Sequence, residues 1–220
     1  MRTMPEPLNE IEVLKCQHIL KRAYELSLSL RTSSADSTTP EPPAEFTEAL
    51  AEGLARTCVR PVVSNSCRQY LMQLIEADPT VEDAADKEWL YKLLLDELFG
   101  FGPLGAIMRD PIVRELRVIR LNLIMVDCSR NAWKRASHIF QSEEHLLDTV
   151  SRILKIELPA LKNRSYIEKQ LDGEIWAAFN LNIAENIDDS KFVGRSVPHI
   201  AGEHNVPFLV LQRMAEALGA

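Results

Sequence analysis

The first third of the chain repeats apolar residues at helical spacing. Between residues 8 and 32, apolar side chains recur at steps of three and four, which predicts an amphipathic helix. Asn9 is a suitable N-cap, and the acidic residues after it suit the positive end of the helix dipole. The apolar face of this helix needs a surface to pack on, either in this chain or in another protein.

A stretch rich in serine, threonine and proline follows at residues 32–44. Small hydroxyl residues and three prolines cannot build a core, so we expect a flexible linker here. Apolar stripes at helical spacing then predict helices at 45–57, at 62–78 and from about residue 80 to Leu98. Gly100 is a suitable end for the last of them, and the proline that follows prevents its continuation.

The apolar period changes after residue 101. Alternating and β-branched residues predict strands, and Ser142 with two acidic residues behind it predicts a helix start. Two further strands flank Asp172-Gly173, which is a strong hairpin-turn signal. The predicted elements are one or two strands at 113–126, a strand at 132–140, a helix at 142–156, a strand pair at 167–171 and 174–183, and a short amphipathic helix at 206–218.

The order of these elements predicts an α+β protein, in which a helical N-terminal region precedes a small, mostly antiparallel sheet domain with packed helices. We divide the chain into an N-terminal amphipathic helix (1–31), a flexible linker (32–44), a helical bundle region (45–100), an α+β sheet domain (101–205) and a C-terminal helix (206–220).

Composition narrows the class of protein. The chain has 220 residues, of which 46% are hydrophobic and 26% charged, as in ordinary soluble globular proteins. A net charge of -7 argues against a nucleic-acid-binding protein, which normally carries a surplus of basic residues. The sequence contains neither a signal-peptide core nor an apolar run of about 18 residues, so we expect a cytoplasmic location and no membrane span.

The cysteines and histidines do not indicate a metal or redox site. Cys16, Cys58, Cys67 and Cys128 form no C-x-x-C pair, and we expect free, mostly buried thiols in a reducing compartment. The alternative is a Cys58–Cys67 disulfide in an oxidising compartment. No histidine has metal-ligand spacing, and the two glycines at 100 and 102 end a helix rather than follow a strand, unlike a dinucleotide fingerprint. We therefore expect no metal and no cofactor.

One segment carries a family resemblance. It reads Glu-Leu-Phe-Gly-Phe-Gly-Pro-Leu at 97–104 and is followed by Asp110-Pro111. It resembles the first segment of the N-terminal domain in type II/type IV secretion ATPases, especially the pilus-assembly (tight-adherence) branch. In that family a helix ends in Glu-Leu-x-Gly-x-Gly-Pro-Leu and the chain continues through Asp-Pro into a sheet. The resemblance extends over residues 88–210 and includes Glu143-Glu144-His145-Leu146, Asp172-Gly173 and Pro207-Phe208.

The sequence differs from this family at the residues that bind and hydrolyse ATP. The chain contains no Gly-x-x-x-x-Gly-Lys-Ser/Thr, so we expect no ATP hydrolysis by this chain alone. The resemblance implies two arginines that can face nucleotide phosphates across a domain cleft. Ile175 stands at the position of the first, and Arg195 lies near the second, which makes Arg195 the predicted phosphate contact. Val118-Ile119-Arg120 replaces the family's Val-Asn-Gly.

The resemblance implies a non-catalytic docking, assembly or regulatory component of a bacterial-type secretion or pilus-assembly machine. Its expected partner is a secretion ATPase, an inner-membrane platform protein or a second copy of the chain, and these partners would place it at the inner membrane. The residues predicted to dock the partner are Leu14, Leu20, Tyr24, Phe99 and Phe101.

Two alternatives stay open at this point. The chain is either the N-terminal part of an active secretion ATPase whose motor domain is on another chain or missing, or a helical adaptor unrelated to secretion. The adaptor alternative predicts no strand pair around Asp172-Gly173.

Overall fold

A computed structural model describes residues 10–32, 40–52, 60–128, 133–136, 140–163, 166–171, 175–180 and 208–213. The protein is α+β, as predicted, and in the described part of the chain five helices and a 3-10 turn precede an antiparallel sheet. The elements are α1 Glu10–Arg31, α2 Ala44–Ala51, α3 Asn65–Glu76, α4 Ala84–Phe99, a 3-10 turn Gly102–Leu104, α5 Gly105–Arg109, β1 Glu115–Arg120, β2 Leu123–Asp127, β3 Trp133–Arg135, α6 Glu143–Leu154, α7 Leu158–Lys162, β4 Tyr166–Gln170, β5 Ile175–Asn180 and β6 Phe208–Arg213.

The first four helices form the helical unit. Ser64 caps α3 by accepting a hydrogen bond from the Cys67 N–H, and Asp83 caps α4 by accepting one from the Ala85 N–H. The apolar stripes of α1 to α4 meet in one core, so α1 packs inside this chain. This helical core includes Leu20, Phe46, Leu71, Ile75, Leu90 and Leu94.

The elements from Gly102 onward form the sheet unit. Its six strands lie in the order β3-β2-β1-β6-β5-β4, and every neighbouring pair is antiparallel. Alternate residues of the strands face α6 and α7, whose buried side chains close the sheet core. This core includes Phe101, Leu116, Val118, Val150, Phe179, Leu209 and Leu211.

The predicted hairpin around Asp172-Gly173 is confirmed as a strand pair. Gln170 pairs with Trp176, and the Leu171 N–H donates to the Ile175 carbonyl at 2.8 Å. The turn residues 172–174 lie outside the described residues. The strand pair that the helical-adaptor alternative excluded is therefore present.

The predicted helix at 206–218 is wrong for residues 208–213, and so is the domain boundary at residue 205. These residues form β6, which lies between β1 and β5 in the middle of the sheet. Leu209 and Leu211 are two positions apart and both fully buried, as a strand requires. A short apolar run such as Phe208–Leu211 cannot be assigned from periodicity alone, because helix and strand both fit it.

The cysteines agree with the sequence-based expectation as far as they are described. Cys16 and Cys67 are buried and form no disulfide, and the half-buried Cys128 forms none either. Since Cys67 is free, the alternative Cys58–Cys67 disulfide is not formed. Cys58 itself lies outside the described ranges.

The inward face of α1 can be tested by a matched pair of substitutions. Leu20 is 2% exposed and Leu14 is 61% exposed on the same helix. We expect Leu20→Ala to lower the free energy of unfolding by about 2–5 kcal/mol, and Leu14→Ala to change it by less than about 0.5 kcal/mol. Urea denaturation followed by circular dichroism measures both. Equal losses in the two variants would show that α1 does not pack on the helical core as described.

Candidate functional site

The five residues predicted to dock a partner do not form one surface. Leu20 and Phe99 are buried in the helical core, and Phe101 is buried in the sheet core. Other parts of this chain cover Leu20 and Phe101, whereas Phe99 also borders a groove on the helical unit. Leu14 is exposed and Tyr24 is half-buried.

The other predicted site residue cannot be placed. Arg195 lies outside the described residues, so its role as a phosphate contact stays a prediction. Ile175, at the position of the family's first arginine, is buried in the sheet core.

A layer of polar side chains separates the two cores. We call this layer the seam, and its members come from the last two turns of α1, the end of α4 and one side of α6. The helical core and the sheet core share no residue, so the seam is where the two units meet. Its members are Tyr24, Ser27, Arg31, Glu97, His145, Asp148, Thr149 and Arg152.

A carboxylate and an imidazole lie at the centre of the seam. Glu97 Oε2 is 3.0 Å from His145 Nε2, and the two side chains are 2% and 1% exposed. The Gln141 N–H donates to His145 Nδ1 at 3.2 Å. Because Nδ1 accepts this bond, the ring proton belongs on Nε2, from which it is donated to the Glu97 carboxylate.

Two aromatic side chains contact the His145 ring. The Tyr24 ring stacks on it with centroids 3.9 Å apart and planes 18° from parallel. Phe140 meets it edge-on at 5.2 Å. With both ring nitrogens bonded and the ring packed between aromatics, His145 is held in place rather than presented to a substrate.

Arg152 connects Glu97 to the glycine-rich turn. Its Nη1 donates to the Gly100 carbonyl at 3.1 Å, and its Nη2 lies 3.8 Å from Glu97 Oε2. Burial and the positive charge of Arg31 lower the pKa of the Arg152 guanidinium, while Asp148 and Glu97 oppose that shift. Because the guanidinium of arginine is far more basic than any other side chain, Arg152 keeps its charge, and that charge offsets the buried carboxylate.

Arg31 attaches α1 to both other seam elements. It forms an ion pair with Asp148 of α6 and donates to the Glu97 main-chain carbonyl at 3.1 Å. Asp148 also lies 3.3 Å from the Arg152 Nε. Burial acts to raise the pKa of the Asp148 carboxyl, but Arg152 and Arg31 outweigh it, so this pKa lies below its usual value.

The glycines of the 97–104 motif allow the chain to approach the seam closely. Gly102 has φ +54, and a Cβ there would lie 3.0 Å from Thr149 Oγ1. A Cβ at Gly105 would lie 2.5 Å from the Asp96 carboxyl. The motif therefore forms a tight junction between α4 and the sheet unit.

At this junction Asp96 forms an ion pair with Arg109. Arg109 donates to both of its carboxylate oxygens, at 2.5 and 2.6 Å. Burial raises the pKa of Asp96 although Arg109 acts to lower it, whereas the hydrogen bonds that Arg109 donates to Asp96 raise the pKa of Arg109. Two parallel N–H donors need two acceptor oxygens, so the geometry favours the ionised pair.

The seam coincides with neither a metal-type cluster nor the groove that the described residues form. Among the residues that the structure describes, no group of three or more histidines, cysteines or acids is placed to hold a metal. A groove of about 500 Å³ lies elsewhere, on the helical unit, and none of its lining residues belongs to the seam. Its lining residues are Glu45, Glu48, Ala49, Arg60, Pro61, Val62, Val63, Ser64, Cys67 and Phe99.

The sequence-based prediction missed the seam, although one signal for it was present. His145, Thr149 and Arg152 are four and three residues apart, so they share one side of a helix that is otherwise apolar inward. A polar stripe of this kind on a buried helix indicates partners on a facing element. Nothing in the local pattern identifies Glu97 and Arg31 as those partners, because they are distant in sequence.

No protein-family model and no curated protein matches this chain. The resemblance to secretion ATPases therefore depends on the motif residues and their order. In the described part of the chain, no helix has both the length and the apolar character needed to cross a membrane.

The lowered pKa of Asp148 predicts a particular pH dependence. A carboxyl whose folded-state pKa is depressed stabilises the fold above its unfolded pKa of about 3.9, and that contribution is lost as the pH falls through the folded value. Asp148→Asn should therefore be less stable than the parent at pH 7, and the difference should shrink below about pH 4. Urea unfolding between pH 3 and pH 7 measures this difference.

Glu82→Gln is the control for that series, since Glu82 is exposed. We expect its stability to follow that of the parent at every pH. A deficit in Asp148→Asn that stays constant down to pH 3 would contradict the assigned role of the Asp148 charge.

Proposed function

We propose that this protein is a non-catalytic docking or assembly component of a bacterial-type secretion or pilus-assembly machine, similar in arrangement to the N-terminal domain of the machine's ATPase. The observation that supports it is the junction made by the 97–104 motif. In this chain the motif ends α4 at Gly100, and Asp110-Pro111 then precedes β1, which is the arrangement that the resemblance implies.

Two observations support a non-catalytic role. The Glu97 carboxylate and the His145 imidazole are buried and bonded to each other, so neither is offered to a substrate as a free base or acid. Ile175, where the family has a phosphate-facing arginine, has an uncharged side chain buried in the sheet core. A cation at that place is what phosphoryl-transfer chemistry would require.

The proposed partner is the secretion ATPase or the platform protein of the same machine. Of the five residues first predicted to dock it, Leu14 is the one with a largely exposed side chain. Leu28 is 46% exposed on the same helix. The two residues are fourteen positions apart, about four helical turns, so they lie on one side of α1. This outward side of α1 is the surface on which we place the partner.

Binding of the partner can be measured directly. We expect the purified chain to form a complex with the secretion ATPase or with the platform protein in size-exclusion chromatography and calorimetry. Leu14→Asp should weaken the complex at least about tenfold, the loss expected for one apolar contact in an interface. Ile112→Asp is the matched control, since Ile112 is 60% exposed on the sheet unit.

Two results would overturn the proposal. One is the failure of the chain to bind either partner or itself. The other is ATP turnover that appears on addition of a motor domain and depends on Arg195, which would instead favour the front end of a divided ATPase.

A further inference from the structure

The chain passes between its two units at a single described point. The helices α1 to α4 precede Gly100, and the sheet-unit elements follow it. The cores on the two sides have no residue in common. Two such bodies can change their relative angle only about the segment that joins them.

The joining segment has the backbone of a hinge. Gly100 is extended, with φ -118 and ψ -154, and Gly102 has φ +54. Glycine passes between such conformations more readily than any other residue. A few residues that absorb a change in φ and ψ at the end of an element are what a hinge requires.

The contacts that hold the two units together are largely polar. Those across the seam are the Tyr24–His145 stack, the Glu97–His145 bond, the Arg152 bond to the Gly100 carbonyl and the Arg31–Asp148 ion pair. Beside the joining segment, the Asp96–Arg109 ion pair also connects them. Water can solvate each of these polar groups when the seam parts, whereas it cannot compensate an exposed apolar core. Opening therefore leaves both cores intact.

The seam is accessible from one side. The Asp148 and Arg31 side chains are 39% and 23% exposed, in contrast to Glu97 and His145. The Arg31–Asp148 ion pair is therefore the part of the seam nearest to solvent, and the Glu97–His145 pair lies deeper.

We propose that Gly100–Gly102 is a hinge between the helical unit and the sheet unit. Tyr24 and Arg31 of α1 contact His145 and Asp148 of α6 and thereby hold the two units together. We call Tyr24 and Arg31 the clasp. This is a conformational device within the chain, and it does not depend on the proposed secretion function. It assigns to α1 the control of the angle between the units, because α1 carries both clasp residues.

The angle can be followed as a distance between the units. Nitroxide labels attached through an unnatural keto amino acid at positions 62 and 162 leave the four cysteines unchanged, and both positions are exposed. We expect one narrow distance distribution in the parent by double electron–electron resonance. Arg31→Met and Tyr24→Ala should each add a second, broader population.

Two matched variants separate the clasp from a general effect on α1. Lys21→Met removes a charge from the exposed side of the same helix, and Tyr24→Phe keeps the ring that stacks on His145. Both should give the parent distribution. A parent-like distribution in Arg31→Met and Tyr24→Ala would overturn the proposal. So would a second population that rises in proportion to a loss of helical circular dichroism, because that is unfolding rather than rotation.

Discussion

The buried carboxylate of Glu97 is the constraint on which the rest of the structure depends. A charge removed from water is costly unless it is paired and hydrogen-bonded. Glu97 therefore needs His145 and Arg152, and the Arg152 charge is in turn balanced by Asp148. Asp148 also binds Arg31, which fixes the end of α1. One carboxylate at the end of α4 thus determines how three helices meet.

This network explains why the 97–104 motif contains glycines. Arg152 reaches the Gly100 carbonyl, and Gly102 lies against Thr149 without room for a side chain. One glycine is enough to end a helix. A backbone that also lies in contact with the seam needs further glycines, because a Cβ would not fit there. The motif that resembles secretion ATPases is thus a structural joint in this chain. The Glu97 and His145 side chains at the centre of the seam are buried and bonded to each other, which is why we favour docking over catalysis.

Local patterns predicted the elements but not the long-range contacts. The starts of α4 and α6 and the hairpin between β4 and β5 depend on neighbouring residues, such as Ser142 before α6, so the sequence contains their signals. β6 was missed because its neighbours β1 and β5 are distant in sequence. The seam was missed for the same reason, since its polar residues come from three separate helices. The apolar face of α1 was predicted correctly, but its partner proved to be inside the chain.

The dependence of Glu97 on His145 can be measured by a double-mutant cycle. Unfolding free energies would be measured for the parent, Glu97→Gln, His145→Gln and the double variant. We expect that the two effects are not additive and that the coupling energy is about 1–3 kcal/mol, as for partners in one buried network. Effects that add to within about 0.5 kcal/mol would contradict it, since they would show that the two side chains act independently.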